Sequence, residues 1–453
     1  MVRLCVALLT ILWAPNGAPK ARNALSPIMF GLRRLNRRSK ALRTTTVLQK
    51  LLGVEHLTVL DVEFVDNVGT SGVVVTVRAH AQTRSRCPRC HKRCPGYDQS
   101  NQPRRWRHLD LGGWRCYLQA SVRRVRCPEH GVLTEEVPWA RPGAKVTRAF
   151  DDTAAWLTAH CPATAVCEYL RVSWRTVTRS VERVVTDYVG TIDRLDNLRR
   201  IGIDEIAYRK GHRYLTVIVD HDSGRLVWAR EGARKETLHT FFDELGEQRT
   251  AQLTHVSADA AKYIAVVVAE RAPDAIWCMD PFHVVQWATK ALDRTRQRVM
   301  HRITGLSKVE RRNLRWAMLK NPENLTDTQL HLQHKVVSRA NDELARAYQL
   351  KEQLRYVFHG KHNDPWRAIG RWIICARESG IIEMRGLATS VEAQKTQIYN
   401  SIVSDVSNAR VEATNTHLRA ITKRAYGFHT PEALIAMSTL TRGGACPTLP
   451  QRN

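Results

Sequence analysis

The chain has 453 residues, room for about three domains of ordinary size, which excludes a peptide or a minimal binding module. Hydrophobic residues at 43% and charged residues at 25% are the proportions of a globular protein, and they argue against wholesale disorder, a collagen-like repeat or a multi-span membrane protein. Lys and Arg number 70 against 43 Asp and Glu, a net charge of +27, and that excess calls for a polyanionic partner, nucleic acid first.

At the N-terminus Met1-Val-Arg precedes the apolar run Leu4 to Ala14. The run falls short of the roughly 20 residues that span a bilayer, though it has the length of a signal-peptide hydrophobic region. Against export stands the acid-free stretch carrying Arg33, Arg34, Arg37, Arg38, Lys40 and Arg43. Residues 1–46 are expected to be a basic tail, disordered or over-extended, with Met29 an alternative start. Eleven cysteines, an odd count over a long chain, fit a reducing compartment better than a secreted disulfide scaffold. The expected location is cytoplasmic, with no membrane partner.

Leu57 to Val65 and Gly72 to Ala79 are β-branched runs separated by a turn-forming stretch, the pattern of a hairpin. Then come two short ligand pairs, Cys87-Pro-Arg-Cys90 and Cys127-Pro-Glu-His130, flanking a strand-rich insert as in a zinc ribbon. Zinc takes four tetrahedral thiolate or imidazole ligands, and a two-residue spacer lets two side chains of one turn reach one ion. Cys87, Cys90, Cys127 and His130 are the expected ligands, with Cys94, Cys116, His91 and His108 as spare candidates. Between Arg84 and Arg126 twelve basic residues face two acids, Asp98 and Asp110, interleaved with Trp106 and Trp114, and this predicts phosphate contact.

Residues 154–160, 163–170 and 173–185 read as three short helices, the third with Ser173 at its N-cap. That spacing predicts a helix-turn-helix whose third helix exposes Trp174, Arg175, Thr178 and Arg179 to DNA and packs Val177, Val181 and Val184 inward. Next, Arg200 to Ala207, Tyr214 to Asp220 and Arg225 to Arg230 form an antiparallel meander. Helix, strand, helix and strand follow over 237–279. The order β-β-β-α-β-α-β is that of a ribonuclease-H-like core, with carboxylates on the first strand, after the fourth and on a later helix.

Asp204 and Asp259 would meet on neighbouring strands of such a sheet. Phosphodiester chemistry with two divalent ions needs acids holding the ions about 3.5–4 Å apart, and Glu412, which shares a helix face with Asn415 and Arg419, offers the third. Lys423 and Arg424 follow, ready for phosphate. Alternation leaves Asp204 and Glu205 open as alternatives, since Asp204 shares a face with Ile206 and Glu205 with Ile203. Asp259 has a second reading as a helix cap, and Glu412 as partner of Arg410 or Arg419.

The blocks Ile203-Asp-Glu-Ile206, Arg213-Tyr-Leu-Thr216, Val256-Ser-Ala-Asp259, Asp280-Pro-Phe-His-Val-Val285, Arg410-Val-Glu-Ala-Thr-Asn415 and Arg424-Ala-Tyr-Gly-Phe428 resemble the signatures of bacterial insertion-sequence transposases of the ISL-three family, from about residue 47 onward. The resemblance implies a multidomain α+β protein. Its parts are a zinc-binding ribbon domain (47–140), a helix-turn-helix (141–195), the first part of a ribonuclease-H-like DDE core (196–287), a helical insertion (288–400), and a Glu-bearing helix with the C-terminal tail (401–453). It places the triad, and with it Mg2+ or Mn2+, on Asp204, Asp259 and Glu412, and makes Asp280 and His283 an auxiliary pair near the centre. Binding to terminal inverted repeats and target DNA, strand cleavage, strand transfer and a homo-oligomer on DNA would follow. Two rivals remain: a non-catalytic regulator derived from a transposase, and a structure-selective nuclease.

Overall fold

The computed structural model describes residues 44–67, 70–99, 102–209, 211, 213–259, 261–338, 342–359, 363–404, 406, 409–425, 428 and 430–449. The basic tail expected over 1–46 falls outside them except at its end, where helix α1 (Thr44–Leu51) begins. Strands β1 (Leu57–Asn67) and β2 (Thr70–Ala79) form the expected hairpin. The strands that follow are β3 (Gly96–Gln99), β4 (Arg104–Leu111), β5 (Trp114–Ala120), β6 (Arg123–Cys127) and β7 (Gly131–Thr134).

These strands form two sheets. Among the described residues β3, β6 and β7 build a sheet beside the cysteine pairs; β4 and β5 leave it and extend the first hairpin into a four-stranded sheet of order β1-β2-β5-β4. Strand β5 runs parallel to β2. The apolar alternation of these strands dictates the choice: Val73, Val75, Val77, Trp106, Cys116 and Leu118 are buried together against Trp139, which a small ribbon cannot offer.

Three helices follow, α2 (Arg148–His160), α3 (Ala163–Leu170) and α4 (Trp174–Thr191). Thr147 caps α2 by accepting the Phe150 amide and Ser173 caps α4 by accepting that of Thr176, the role short hydroxyl side chains play at N-termini. Arg171, in the left-handed conformation, turns the chain between α3 and α4. The first turns of α4 pack through Val177 onto Phe150, Val166 and Leu170. Its later turns, through Val181, Val184 and Val185, enter the core of the next sheet. Arg141, 7% exposed, donates to Asp152 and Asp187 at 2.7 Å each, and Arg183 holds the buried Asp151, so α2 and α4 are also tied by ion pairs.

The central sheet contains β8 (Arg200–Arg209), β9 (Arg213–Asp220) and β10 (Leu226–Glu231), then, after α5 (Lys235–Leu245) and α6 (Glu247–Thr250), β11 (His255–Ala258), α7 (Lys262–Arg271) and β12 (Ile276–Met279). Its order is β10-β9-β8-β11-β12; the meander is antiparallel, while β8, β11 and β12 are mutually parallel. This is the ribonuclease-H-like arrangement. One face, with Ile201, Ile203 and Ile218, packs on Phe241 and Phe242 of α5 and Val267 of α7.

From β12 the chain enters, among the described residues, seven α-helices with a core of their own: α8 (Pro281–Val299), α9 (Lys308–Leu319), α10 (Asp327–Ser338), α11 (Asp342–His359), α12 (Pro365–Glu378), α13 (Ile382–Ala393) and α14 (Lys395–Val403). The last returns to the sheet edge, where Asn400 Nδ2 donates to the Trp277 carbonyl at 3.0 Å. Helices α15 (Ala409–Arg424) and α16 (Pro431–Arg442) cover the second face of the sheet, burying Ile206, Leu215, Val217 and Val219 beneath Val411, Leu418 and Met437. Among the described residues no helix is long and apolar enough to cross a membrane.

Candidate functional site

The alternation that left Asp204 and Glu205 open resolves once the helices are in place. Gly202, Asp204 and Ile206 share a face by period two, and it is the face under α15. Glu205 points the other way, where Tyr263 on α7 donates its hydroxyl to the Glu205 carboxylate. Gly202 matters here: a Cβ at this position would lie 2.4 Å from Val411 Cγ2 and 2.9 Å from His221 Nε2. Only glycine lets α15 approach this closely, and the residue after Val411 is Glu412.

Strand register brings in Asp259. Ser257 pairs with Gly202 across β11 and β8, so two residues further on Asp259 stands beside Asp204. Its Oδ1 accepts the Ala261 amide at 2.9 Å, so it also shapes the entry to α7. Arg410 is not a partner of Glu412. Its guanidinium donates to the carbonyls of His221 and Asp222 and pins the start of α15 to the β9–β10 turn. Glu412 is half-buried.

Asp280 and His283 join the same cluster. Asp280, 3% exposed, caps α8 by accepting the Phe282 amide, and its Oδ2 lies 2.7 Å from His283 Nδ1. Capping and membership of the acid cluster are thus both true of Asp280. Burial raises the Asp204 pKa to about 6, with the charges of Asp259 and Asp280 adding to it while the Glu205 amide and His283 oppose. Burial and the charge of Asp280 raise Glu412. Burial, then Asp259 and Asp204, raise Glu205 to about 7. Burial works against a charge on His283, yet its bond to Asp280 and the surrounding carboxylates raise its pKa overall. Such crowding of acids in one partly buried place is what a cation would relieve.

The cysteine site is tighter. Cys87, Cys90, Cys127 and His130 have ligand atoms all within 4.8 Å of one another, whereas among the described residues the carboxylates form no group that close. Cys90 and Cys127 sulfurs are 3.7 Å apart, and His130 Nδ1 is 3.7 Å from Cys87 Sγ and 3.5 Å from Cys127 Sγ. Tetrahedral zinc with bonds of about 2.3 Å to sulfur and about 2.0 Å to nitrogen requires spacings of about 3.8 and about 3.5 Å, so the donor set fits zinc. Of the spare candidates, Cys94 is buried beside this cluster. Cys116 lies in the core of the other sheet, His108 bonds Thr147 at 2.9 Å and His91 bonds Glu136 at 2.9 Å.

The residues proposed from sequence to face DNA divide. Arg175 and Arg179 are exposed. Trp174 is exposed as well, 37% of it accessible, and with the half-buried Thr178 it also edges a small apolar cavity with Phe428 and Met437, because the face of α4 that carries them continues into Val181 and is drawn onto α16. Arg419 and Lys423 are exposed, while Arg424 donates to the carbonyls of Thr158 and Ala159 and closes the C-terminus of α2. Sequence reasoning passed over Gly202 as a spacer and Tyr263 as a partner of Glu205. A glycine inside a strand is itself a signal of close approach.

A four-ligand Cys/His cluster, a helix-turn-helix and an acid-bearing ribonuclease-H-like sheet in one chain define the class of the DDE transposases. Residues 201–438 match the family model described as transposase, residues 135–185 the helix-turn-helix domain of transposase family ISL3, and residues 83–130 the zinc-finger of transposase IS204/IS1001/IS1096/IS1165. The chain belongs to transposase family ISL3. It is 44% identical over 438 residues to the transposase for insertion sequence element IS1557 of Mycobacterium tuberculosis, covering 91% of this chain and 98% of that protein. It is 26% identical over 351 residues to the transposase for insertion sequence element IS1001 of Bordetella parapertussis, covering 76% and 86%.

Proposed function

We propose that this transposase binds the terminal inverted repeats of its insertion sequence, cleaves the strand ends and joins them to target DNA, with Asp204, Asp259 and Glu412 as the catalytic acids. The observation that carries this reading is the close approach of α15 to β8 at Gly202, where Val411, the residue before Glu412, meets the strand and Asn415, one turn after Glu412, bonds Asp204, with Asp259 just past the end of the neighbouring β11. The three acids would hold Mg2+ or Mn2+, which when bound activates the attacking oxygen and stabilises the leaving one. The protein holds its acids on a rigid sheet and a pinned helix, so little reorganisation is needed when the scissile phosphate arrives. Asp280 fixes the His283 ring beside the acids, where a protonated imidazole offsets their charge. The attacking oxygen belongs to water in cleavage and to a DNA 3′-hydroxyl in joining, so no covalent enzyme intermediate is required.

The domain divisions at 47–140, 141–195, 196–287, 288–400 and 401–453 belong to the same reading, as do a zinc ion at the Cys/His cluster, an assembly of at least two copies on paired ends and a cytoplasmic, nucleoid location. Arg175 and Arg179 on α4, with Arg419 and Lys423 on α15, are exposed cations available for phosphate, with the exposed Trp174 beside them on α4. The test is cleavage and joining of a labelled duplex bearing the inverted repeat that flanks this gene, with Mg2+. Wild type should give metal-dependent product, and Asp204→Asn and Glu412→Gln none. Tight, repeat-specific binding without any product in the wild type would point to a regulator and reduce the acids to structural residues.

A further inference from the structure

Asn415 lies three residues after Glu412 on α15, one turn along the same face. Only 2% of it is exposed. Its Nδ2 donates to Asp204 Oδ2, yet its Oδ1 is buried and has no hydrogen-bond partner. Buried amide oxygens without a donor are rare, and each marks a missing water or ion or a functional demand.

The covalent geometry of the amide sharpens the point. Oδ1 and Nδ2 share one planar group, so the orphaned oxygen and the Asp204 oxygen are neighbouring acceptors on either side of one nitrogen. Turning the amide over would set Oδ1 against Asp204 Oδ2, acceptor to acceptor, which is worse. In either orientation it is Oδ1 that is left without a donor. The surroundings do not provide one: His283 is bonded to Asp280, Arg410 is bonded to the His221 and Asp222 carbonyls, and Arg419 is exposed. Asp259 and Asp280 act on Asp204, and Asp280 on Glu412, as like charges.

We infer that Asn415 completes the cation site. Its Nδ2 sets the rotamer of Asp204, and its Oδ1 presents a neutral oxygen to the cation's coordination shell, of the kind hard divalent ions accept beside carboxylates and water. Asn415 is thus a positioning residue for Asp204 as well as an oxygen donor, and the inference rests on reading Asp204 as a metal ligand.

The test is Mn2+ binding to the zinc-loaded full-length chain, followed by the electron paramagnetic resonance of free Mn2+ and by the Mn2+-induced rise in Tm. Asn415→Ala should weaken Mn2+ binding about 10- to 100-fold, the usual effect of removing a partner of a metal ligand, with zinc content unchanged. Asn415→Asp restores an oxygen and adds negative charge, so its Mn2+-induced rise in Tm should match or exceed that of the wild type. Being nearly isosteric, it decides the matter alone if the alanine variant does not fold. Wild-type Mn2+ affinity in Asn415→Ala, or a Tm change in Asn415→Asp that is the same with and without Mn2+, would make Asn415 a packing residue and overturn the inference. If Asp204→Asn also leaves Mn2+ binding intact, the failure lies in the carboxylate reading itself.

Discussion

Replacing Gly202 with alanine tests the geometry of the acids without touching any of them. The new methyl would stand 2.4 Å from Val411 Cγ2, where ordinary contact begins at 3.4 Å, so α15 must withdraw by about 1 Å or β8 must bend. Overpacking of this kind costs about 1–3 kcal/mol of stability. The larger effect is on rate, because a displacement of about 1 Å at a reacting group costs about 100-fold, and the displaced segment carries Glu412. Single-turnover cleavage of the inverted-repeat duplex should therefore fall by about two orders of magnitude, while binding of that duplex is unchanged. Adding Val411→Ala removes the atom that is struck and should return part of the lost rate, a coupling of about 0.5–3 kcal/mol in a double-mutant cycle. Undiminished cleavage by Gly202→Ala, or a double variant no faster than the single, would refute the claim that this contact sets the position of Glu412.

Two further predictions concern charge and zinc. The folded pKa values of Asp204, about 6, and Glu205, about 7, lie above the ordinary 3.8 and 4.5, so the folded state binds these protons more tightly than the unfolded chain. The resulting stability is complete below about pH 4 and is lost as pH rises through 6 and 7, by about 3 kcal/mol for Asp204. In magnesium-free, zinc-replete buffer, Tm should fall from pH 5 to pH 8 in the wild type and fall less in Asp204→Asn; parallel curves would sink the argument. At the Cys/His cluster, the full chain should carry one zinc by colorimetric assay, and Cys127→Ser should lose it. Amide protection should then vanish across β3, β6 and β7 and survive in β8 and β9. Unchanged zinc content in that variant would place the ion elsewhere.

How much of this could be read in the sequence depended on how local each signal was. The paired cysteines, the Ser173 cap and the strand order of the core announced themselves within short windows, and the structure has all three. The fate of β4 and β5 did not: they lie between the two ligand pairs, but their partner β2 is far back in the chain, and only the shared apolar face reveals it. The Asp204–Glu205 ambiguity is of the same kind. Alternation shows that the two point oppositely, and which direction faces Glu412 is decided by a helix some 200 residues later, a long-range fact. Thr178 shows another long-range effect: it is half-buried because α16 packs against the face of α4 that carries it, a neighbour that a single helical wheel does not contain.

Helix α4 begins in the helix-turn-helix and, through Val181, Val184 and Val185, packs into the core of the acid-bearing sheet, with no linker between. For a protein working as proposed, that single rod is a ruler. The distance and the helical phase between the bases it reads and the phosphate that is cut are fixed by the length of one helix, and DNA must supply a matching interval. An element whose end is lengthened by half a duplex turn, about 5 base pairs, would present the wrong side of its backbone to the acids however well its repeat is bound. Insertion-sequence ends recognised this way can drift in sequence at single positions far more readily than they can drift in spacing.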